Sequence, residues 1–557
     1  MTVDSSKIED KEASQALEEV VDLSANAEED EFSEINFSPA SVRRKPKRPS
    51  MFVASESFLD DSQPHLNEVS YHPGNTPFYS PPKQRQRWGD KRVLPRVNWG
   101  DLFFDLFFVA ATYNISTILV TDPSATGFLY FMATFMSSMN LWSAKTFFDS
   151  TFAVDDDIVH RVMEVCFLTA MGSVIVHIRT ADILSHPADY VDMFALSLSL
   201  LLAQFITLLR QIEIGITGIG EEGVLKMVSF RNSRDVMIFG STQLAATIIA
   251  GLDYYNNAGG SYEDGSHRML AGGGGGSTNH IPIILTLAGP VIFQIQWTIR
   301  GIFLFPSDGS HTKLIVPINV DFTIHRQMEW TMLMLGESVF SLLVEEVTEV
   351  EEFYVTFYCG LLCVILLVYI HFTSQPMVAE RHVMVDSKNR AIVAGTVQNL
   401  YSASMVGLGA GLTLFLRSFA KAISNKRRLV EFAFEGRFLA SGGAALYSTD
   451  EMNERSAVVF CLSLGMVLLC VDILQFLQFG FRRSFRLLAR SSVNLRVGIV
   501  FFCSMRWVLI VFLFTLWIWT TSPEILAEIG VGCALIYSML VLVTRKLTKE
   551  KEAEHNH

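Results

Sequence analysis

The sequence predicts an all-α, polytopic membrane protein of about twelve transmembrane helices, and three observations predict it. Half of the 557 residues are hydrophobic, only 18% are charged, and mean hydropathy is positive. A soluble chain of that length would carry more charge and divide into several globular domains. The apolar residues are also gathered into long runs. Residues 328–344, 353–372, 458–481, 497–520 and 525–543 each approach or exceed the length a helix needs to cross about 30 Å of hydrocarbon.

The first element, 1–95, reads as a disordered cytosolic N-terminal tail. It is acidic to about Glu34, then basic through RRKPKRP (43–49) and KQRQRWGDKRVLPR (83–96), and rich in Ser and Pro without a sustained period. An acidic start without an early apolar core is no signal peptide, so the first helix is expected to act as its own anchor. Helices are then expected to start near Asp101, Gly127, Ile158, Tyr190, Val236, Pro282, Met328, Phe353, Ala391, Ser456, Val497 and Pro523. The bias of Lys and Arg toward the cytosolic side orients them. Lys226, Arg231, Arg234, 381–390 and 481–496 fall inside, while the Gly-rich loop 271–279 and the acidic 345–352 fall outside. The basic stretch 417–437 disagrees, which means either a miscount there or a helix lying in the interface.

An even number of spans places both termini in the cytosol, including a short charged C-terminal tail, 546–557. The transmembrane domain, 96–545, then divides into halves of about 96–315 and 316–545. Each opens on a charged helix start, Asp101 to Asp105 or His325 to Glu329, as in a parallel repeat of six helices. A chance likeness of two helix starts is the competing explanation. The seven cysteines all lie in apolar runs, which speaks for small buried side chains and against a disulfide framework or a metal motif.

Charges inside the runs are the candidate functional residues. Arg179, Arg210, Arg300 and His371 lie close to helix ends, where snorkelling explains them. Asp101 and Asp105 share one face of the first helix; a helix-capping role explains Asp101 well and Asp105 only in part, which leaves a functional or packing partner as the alternative for Asp105. Glu337 lies roughly 18 Å beyond His325 along a helix axis and far from either surface. A charge at that depth costs on the order of 2.5–3.5 kcal/mol on insertion scales unless it is paired, protonated or hydrated. Gly336 beside it is expected to admit a neighbouring helix. Asp472, Gln475 and Gln478 form a polar edge on another helix, and Arg506 sits near the centre of a third. The expectation is that Arg506 pairs with Asp472 or Glu337 and leaves one carboxylate to titrate; a purely structural ion pair is the alternative. Asp155 to Glu164 could suggest a metal, but Asp at a helix start is an ordinary cap, so no metal is assigned. No phosphate-binding loop or zinc-protease pair is present, and GLGAGL (407–412) reads as small residues packing helices.

Three stretches together resemble the bacterial low temperature requirement A (LtrA) family of multipass membrane proteins. They are WGDLFFDLFFVAA (99–111), LWSAKTFFDSTFAVDDDIVHR (141–161) and HRQMEWTMLMLGES (325–338). The matching positions are Asp101, Asp105, Asp156, Arg161, His325, Glu329, Gly336 and Glu337, with Trp330 standing where the family more often has Arg. The resemblance implies a multipass membrane fold over residues 101 to the last helix, and it implies no reaction or substrate.

Two function classes follow from this reading. One is a transporter or channel with a midplane site of Glu337, Asp472 and Arg506 and with Asp105, Glu329 or His325 on the cytosolic approach, coupled to protons through a buried carboxylate. The other is a non-transporting sensor or scaffold whose tail binds cytosolic partners. Neither is an enzyme or needs a cofactor. The expected partners are the lipid bilayer and an ion or small molecule, with no nucleic acid.

Overall fold

The computed structural model describes residues 77–85, 99–154, 157–178, 190–217, 222–259, 280–299, 318–376, 382–386, 388–435, 449–478 and 493–556. Contacts divide the chain at residue 48, and every element described here belongs to the second unit, Pro49–His557. The expected disorder of residues 1–76, the loop 271–279, Asp156, Arg179 and Arg300 all lie outside the described residues.

The described residues are almost wholly helical. In order come α1 (Trp99–Thr121), α2 (Ala125–Thr151), α3 (Ile158–His177), α4 (Tyr190–Thr217), α5 (Glu222–Gly259) and α6 (Ile281–Ile299). They are followed by α7 (Val320–Val344), α8 (Glu351–Ser374), a single turn α9 (Val383–Asp386), α10 (Lys388–Glu435), α11 (Thr449–Leu477), α12 (Val493–Leu516) and α13 (Pro523–Asn556). Ten of these are long and apolar enough to cross a membrane. The long helices left out are α2 and α7, whose Ser, Thr, Asp, Glu, Lys and Arg residues dilute an otherwise apolar face. One departure from expectation is α5, which begins at Glu222 rather than near Val236 and continues the run through Lys226, Arg231 and Arg234.

The centre of the bundle is α10. Of its most apolar window 83% is buried, against 22% for α3 and for α12, so α10 is a core helix and those two face outward. Its glycines set the distances to its neighbours. A Cβ on Gly407 or Gly411 would meet α11, at Ser463 Oγ 2.7 Å and at Phe460 Cα 2.9 Å. One on Gly409 would meet α7, at Glu337 Oε2 and Ser338 Cα, both 3.0 Å. The small-residue reading of GLGAGL therefore describes the packing. Gly336 is a correction: it is exposed, and a Cβ there would meet nothing within 4 Å, so the close approach at Glu337 comes from Gly409 on the partner helix.

The basic stretch after residue 417 also finds its explanation in α10, which runs unbroken for 48 residues, about 72 Å, and carries its helical ladder past the apolar window that ends at Lys421. Arg417 pairs with Glu345 at 2.8 Å, so the acidic α7–α8 connection supplies the counter-charge at that end.

In the first six long helices, α1 packs on α2 and α3, α2 on α4 and α6, α3 on α4, α4 on α5 and α6, and α5 on α6. In the last six, α7 packs on α8 and α10, α8 on α10, α11 and α13, α10 on α11 and α13, α11 on α12 and α13, and α12 on α13. The two sets meet where α1 and α2 contact α7 and α10 and where α6 contacts α10.

Residues 77–85, expected to belong to the disordered tail, are docked instead. Lys83–Gln84 forms β1, antiparallel to β2 (Phe152–Ala153), with Lys83 opposite Ala153 and Gln84 opposite Phe152.

These glycine contacts predict that Gly411→Ala, which drives a methyl into the Phe460 backbone, destabilises the protein by about 1–3 kcal/mol, whereas Gly336→Ala stays within about 0.5 kcal/mol of wild type. Thermal unfolding of the detergent-solubilised protein compares the two.

Candidate functional site

Asp105 lies on the seventh residue of α1 and Arg326 on the seventh of α7, and the two meet between the helices. Arg326 Nη1 donates to Asp105 Oδ2 and Nη2 to Asp105 Oδ1, both at 2.8 Å. This is the fork-to-fork geometry in which a guanidinium binds a carboxylate most strongly. Nη1 also donates to Glu329 Oε2 at 2.6 Å, and Trp142 Nε1 on α2 donates to Asp105 Oδ1 at 3.1 Å. Asp105 and Arg326 are both buried.

More charge collects at the same end of the bundle, where α1, α3 and α7 begin and α2 and α4 finish. Lys145 Nζ stands 2.6 Å from Asp149, 3.7 Å from Asp101 and 3.8 Å from Glu164. Glu164 also receives Arg210 Nη2 at 2.5 Å. Arg210 is therefore a correction: it is buried and turns inward to a carboxylate rather than snorkelling. His371 likewise stays inside, stacked on Tyr401 with ring centroids 5.6 Å apart. Asp157 caps α3 by accepting the His160 N–H at 2.7 Å, as expected of Asp at a helix start. His160 bridges Asp157 Oδ2 at 2.6 Å and Glu213 Oε1 at 3.0 Å.

An aromatic layer closes over this cluster. Trp142 and Trp330 lie 4.4 Å apart between ring centroids, and Phe108 meets Trp330 edge-on at 5.6 Å. Trp330 Nε1 donates to Ser402 Oγ at 3.0 Å, and Met334 fills the next turn of α7, fully buried.

Beyond the layer sits Glu337, three helical turns or about 16 Å from Arg326 and on the same face of α7. It is 0% exposed. Its Oε1 accepts from Ser341 Oγ at 2.5 Å, its Oε2 has no hydrogen bond, and the Ser116 hydroxyl of α1 is close by. Ser116 is eleven residues past Asp105, as Glu337 is eleven past Arg326, so α1 and α7 run side by side in register. Ser338 donates to Met405 O at 3.1 Å, and Glu345 bonded to Arg417 ends the stripe. One face of α7 thus carries Arg326, Trp330, Glu337, Ser341 and Glu345 from one end of the bundle to the other.

Asp472 and Arg506 form a separate site. Arg506 Nη1 lies 3.1 Å from Asp472 Oδ1 and donates to Gln475 Oε1 at 2.7 Å, and Tyr537 OH of α13 donates to Asp472 Oδ1 at 2.7 Å. Arg506 and Asp472 are both 0% exposed. The expected pairing of Arg506 with Asp472 is what forms. The expected midplane site uniting Glu337 with these two does not: Glu337 faces α1 and α10, and among the described residues no hydrogen bond or ion pair links it to α11 or α12. Gln478 is directed elsewhere, accepting the Val383 N–H at 2.8 Å.

His325 and Arg161 are exposed and stand apart from the Arg326 centre, and Asp101 and Glu329 lie at its margin. Arg326, Lys145 and Trp330 are the central residues that sequence reasoning passed over. Arg326 carried a signal, since it stands three residues before Glu329 and one helical face before Glu337.

Removing one partner of a buried ion pair leaves an uncompensated charge, so Arg326→Gln and Asp105→Asn are each expected to cost about 3–5 kcal/mol. The double variant should recover part of that loss, and a double-mutant cycle on thermal unfolding measures the coupling. Comparison of the chain with family models, with curated proteins and with solved structures yields no match.

Proposed function

We propose that the chain is an LtrA-like membrane transporter or channel coupled to protons, with α7 as the conducting element and Glu337 as its titrating carboxylate. The observation that carries the reading is the Glu337 carboxylate itself, fully buried with one oxygen lacking a hydrogen bond, on a polar stripe that continues to both ends of the helix. A buried carboxylate without a counter-ion is stable as the neutral acid and takes up charge only when water or a cation reaches it. The closed Asp105–Arg326 pair and the aromatic layer then separate Glu337 from one end of the bundle, as alternating access requires of a resting state. All eight helix pairings of the first set of six recur among the ten of the second, which supports two halves in parallel repeat, a plan in which substrate sites lie where the repeats meet. In this reading all twelve long helices span the bilayer, α2 and α7 being polar because they line the path, and both termini are cytosolic.

A non-transporting sensor or scaffold is favoured by one specific observation. The three buried arginines among the described residues, Arg210, Arg326 and Arg506, are closed on carboxylates, as in a bundle whose charges serve packing.

Purified protein in liposomes with an internal pH dye should show proton flux that Glu337→Gln abolishes while the variant remains folded. No flux from either folded protein turns the reading toward the scaffold. Deleting residues 1–76, which leaves the docked 77–85 in place, should keep flux within about twofold of wild type, because conduction resides in the bundle and the loss falls on a tail with no part in it. A scaffold would instead lose partner binding in a pull-down with cytosolic extract.

A further inference from the structure

Residues 77–85 form a strap across four helix ends. The N–H groups of Ile158 and Val159, at the start of α3, donate to Pro77 O and Phe78 O, each at 3.3 Å. The Ser80 N–H donates to Asp157 Oδ2 at 2.8 Å. Tyr79 stacks on His160 with ring centroids 5.9 Å apart, and its hydroxyl donates to Thr217 Oγ1 at the end of α4. Past β1, the Arg85 N–H donates to Thr151 O at 2.9 Å at the end of α2, and its guanidinium lies 4.8 Å above the Phe322 ring at the start of α7.

The strap reads Tyr79-Ser80-Pro81-Pro82-Lys83-Gln84. A serine followed directly by proline, with a base three residues on and an extended backbone, is the substrate form of proline-directed serine/threonine kinases. Of the Ser-Pro and Thr-Pro pairs in the chain, at Ser38, Thr76, Ser80 and Ser522, only that of Ser80 has Lys or Arg at the third following position. Ser80 also sits where added charge does most. Its own N–H is held by Asp157, which is 0% exposed, and Glu213 reaches the same cluster through His160.

We propose that Ser80 is a phosphorylation site and that its phosphate unlatches the strap from Asp157 and the start of α3. In the kinase, Ser80 Oγ attacks the γ-phosphorus of ATP, the bond to the β,γ-bridging oxygen breaks, ADP leaves, and the hydroxyl proton passes to the kinase's base. The phosphoserine carries about −1.5 to −2 charge at neutral pH, and beside a buried carboxylate this charge is repelled. The strap must leave its seat to enter a kinase cleft, and the phosphate prevents its return. Release exposes the His160–Asp157–Glu213 cluster and frees the start of α7 from Arg85, so the modification reaches the helix that carries Glu337. The unlatching is independent of whether the bundle conducts.

The test uses the full chain in nanodiscs, treated with a proline-directed kinase and ATP and followed by mass spectrometry and amide hydrogen exchange. Phosphate on Ser80, with exchange at Ile158 and Val159 at least about tenfold faster than in untreated protein, is the expected result. Kinase-treated Ser80→Ala should keep the slow exchange. A Ser80 that stays unmodified while an unfolded sample of the same protein is phosphorylated there overturns the proposal, and so does stoichiometric phosphate on Ser80 without faster exchange at those amides.

Discussion

The bidentate bond between Asp105 and Arg326 fixes how α7 sits against α1. Two planar groups joined by parallel hydrogen bonds allow one depth and one rotation of each helix. Once those are set, the eleven-residue registers bring Ser116 beside Glu337, and the indole of Trp142 is drawn onto Asp105 and over the ring of Trp330. The same rotation turns Glu337 toward Gly409 and turns Gly336, with Met332 and Phe340, outward. A bond between two side chains thus sets the direction of a carboxylate three turns away.

Around that bond the bundle separates its polar groups by type of partner. Charges at the end where α1 begins are mutually paired through Lys145, Glu164 and Arg210 and need little from water. Arg506 and Asp472 pair within the second set of helices, with Tyr537 and Gln475 bonded to them, while Asp472 Oδ2 and Arg506 Nε make no hydrogen bond among the described residues. Among the described residues Glu337 bonds to the Ser341 hydroxyl alone, with Ser116 close by, and this difference in company sets it apart from Asp105 and Asp472, each closed on a guanidinium.

Much of this was legible in the sequence, for physical reasons that also mark where legibility ends. Long apolar runs have a single stable outcome in lipid, so the helical architecture could be read directly. The Arg506 and Asp472 pair was legible because each is a lone charge deep in an apolar run and must find an opposite. Arg326 was hidden by its neighbours: among His325, Gln327 and Glu329 it looked like part of a hydrated helix start. Gly336 misled because adjacency in sequence is not adjacency across a helix interface; the space beside Glu337 came from Gly409, 72 residues away. The docking of residues 77–85 was illegible because it is held largely by backbone hydrogen bonds, which leave no mark on composition.

The polarity of α7 bears on how the protein is made. A segment carrying Arg326, Glu329 and Glu337 gains too little from lipid to leave the translocon on its own hydrophobicity. Its counter-charge, Asp105, is synthesised long before it, whereas Gly409 of α10, which packs on Glu337, is synthesised 72 residues after Glu337. Burial of α7 therefore depends on a partner made before it, Asp105 of α1, and on one made after it, Gly409 of α10. The helix reaches its buried setting only when both sets are in place, so the ion pair and the glycine face join parts of the chain made at widely separated times.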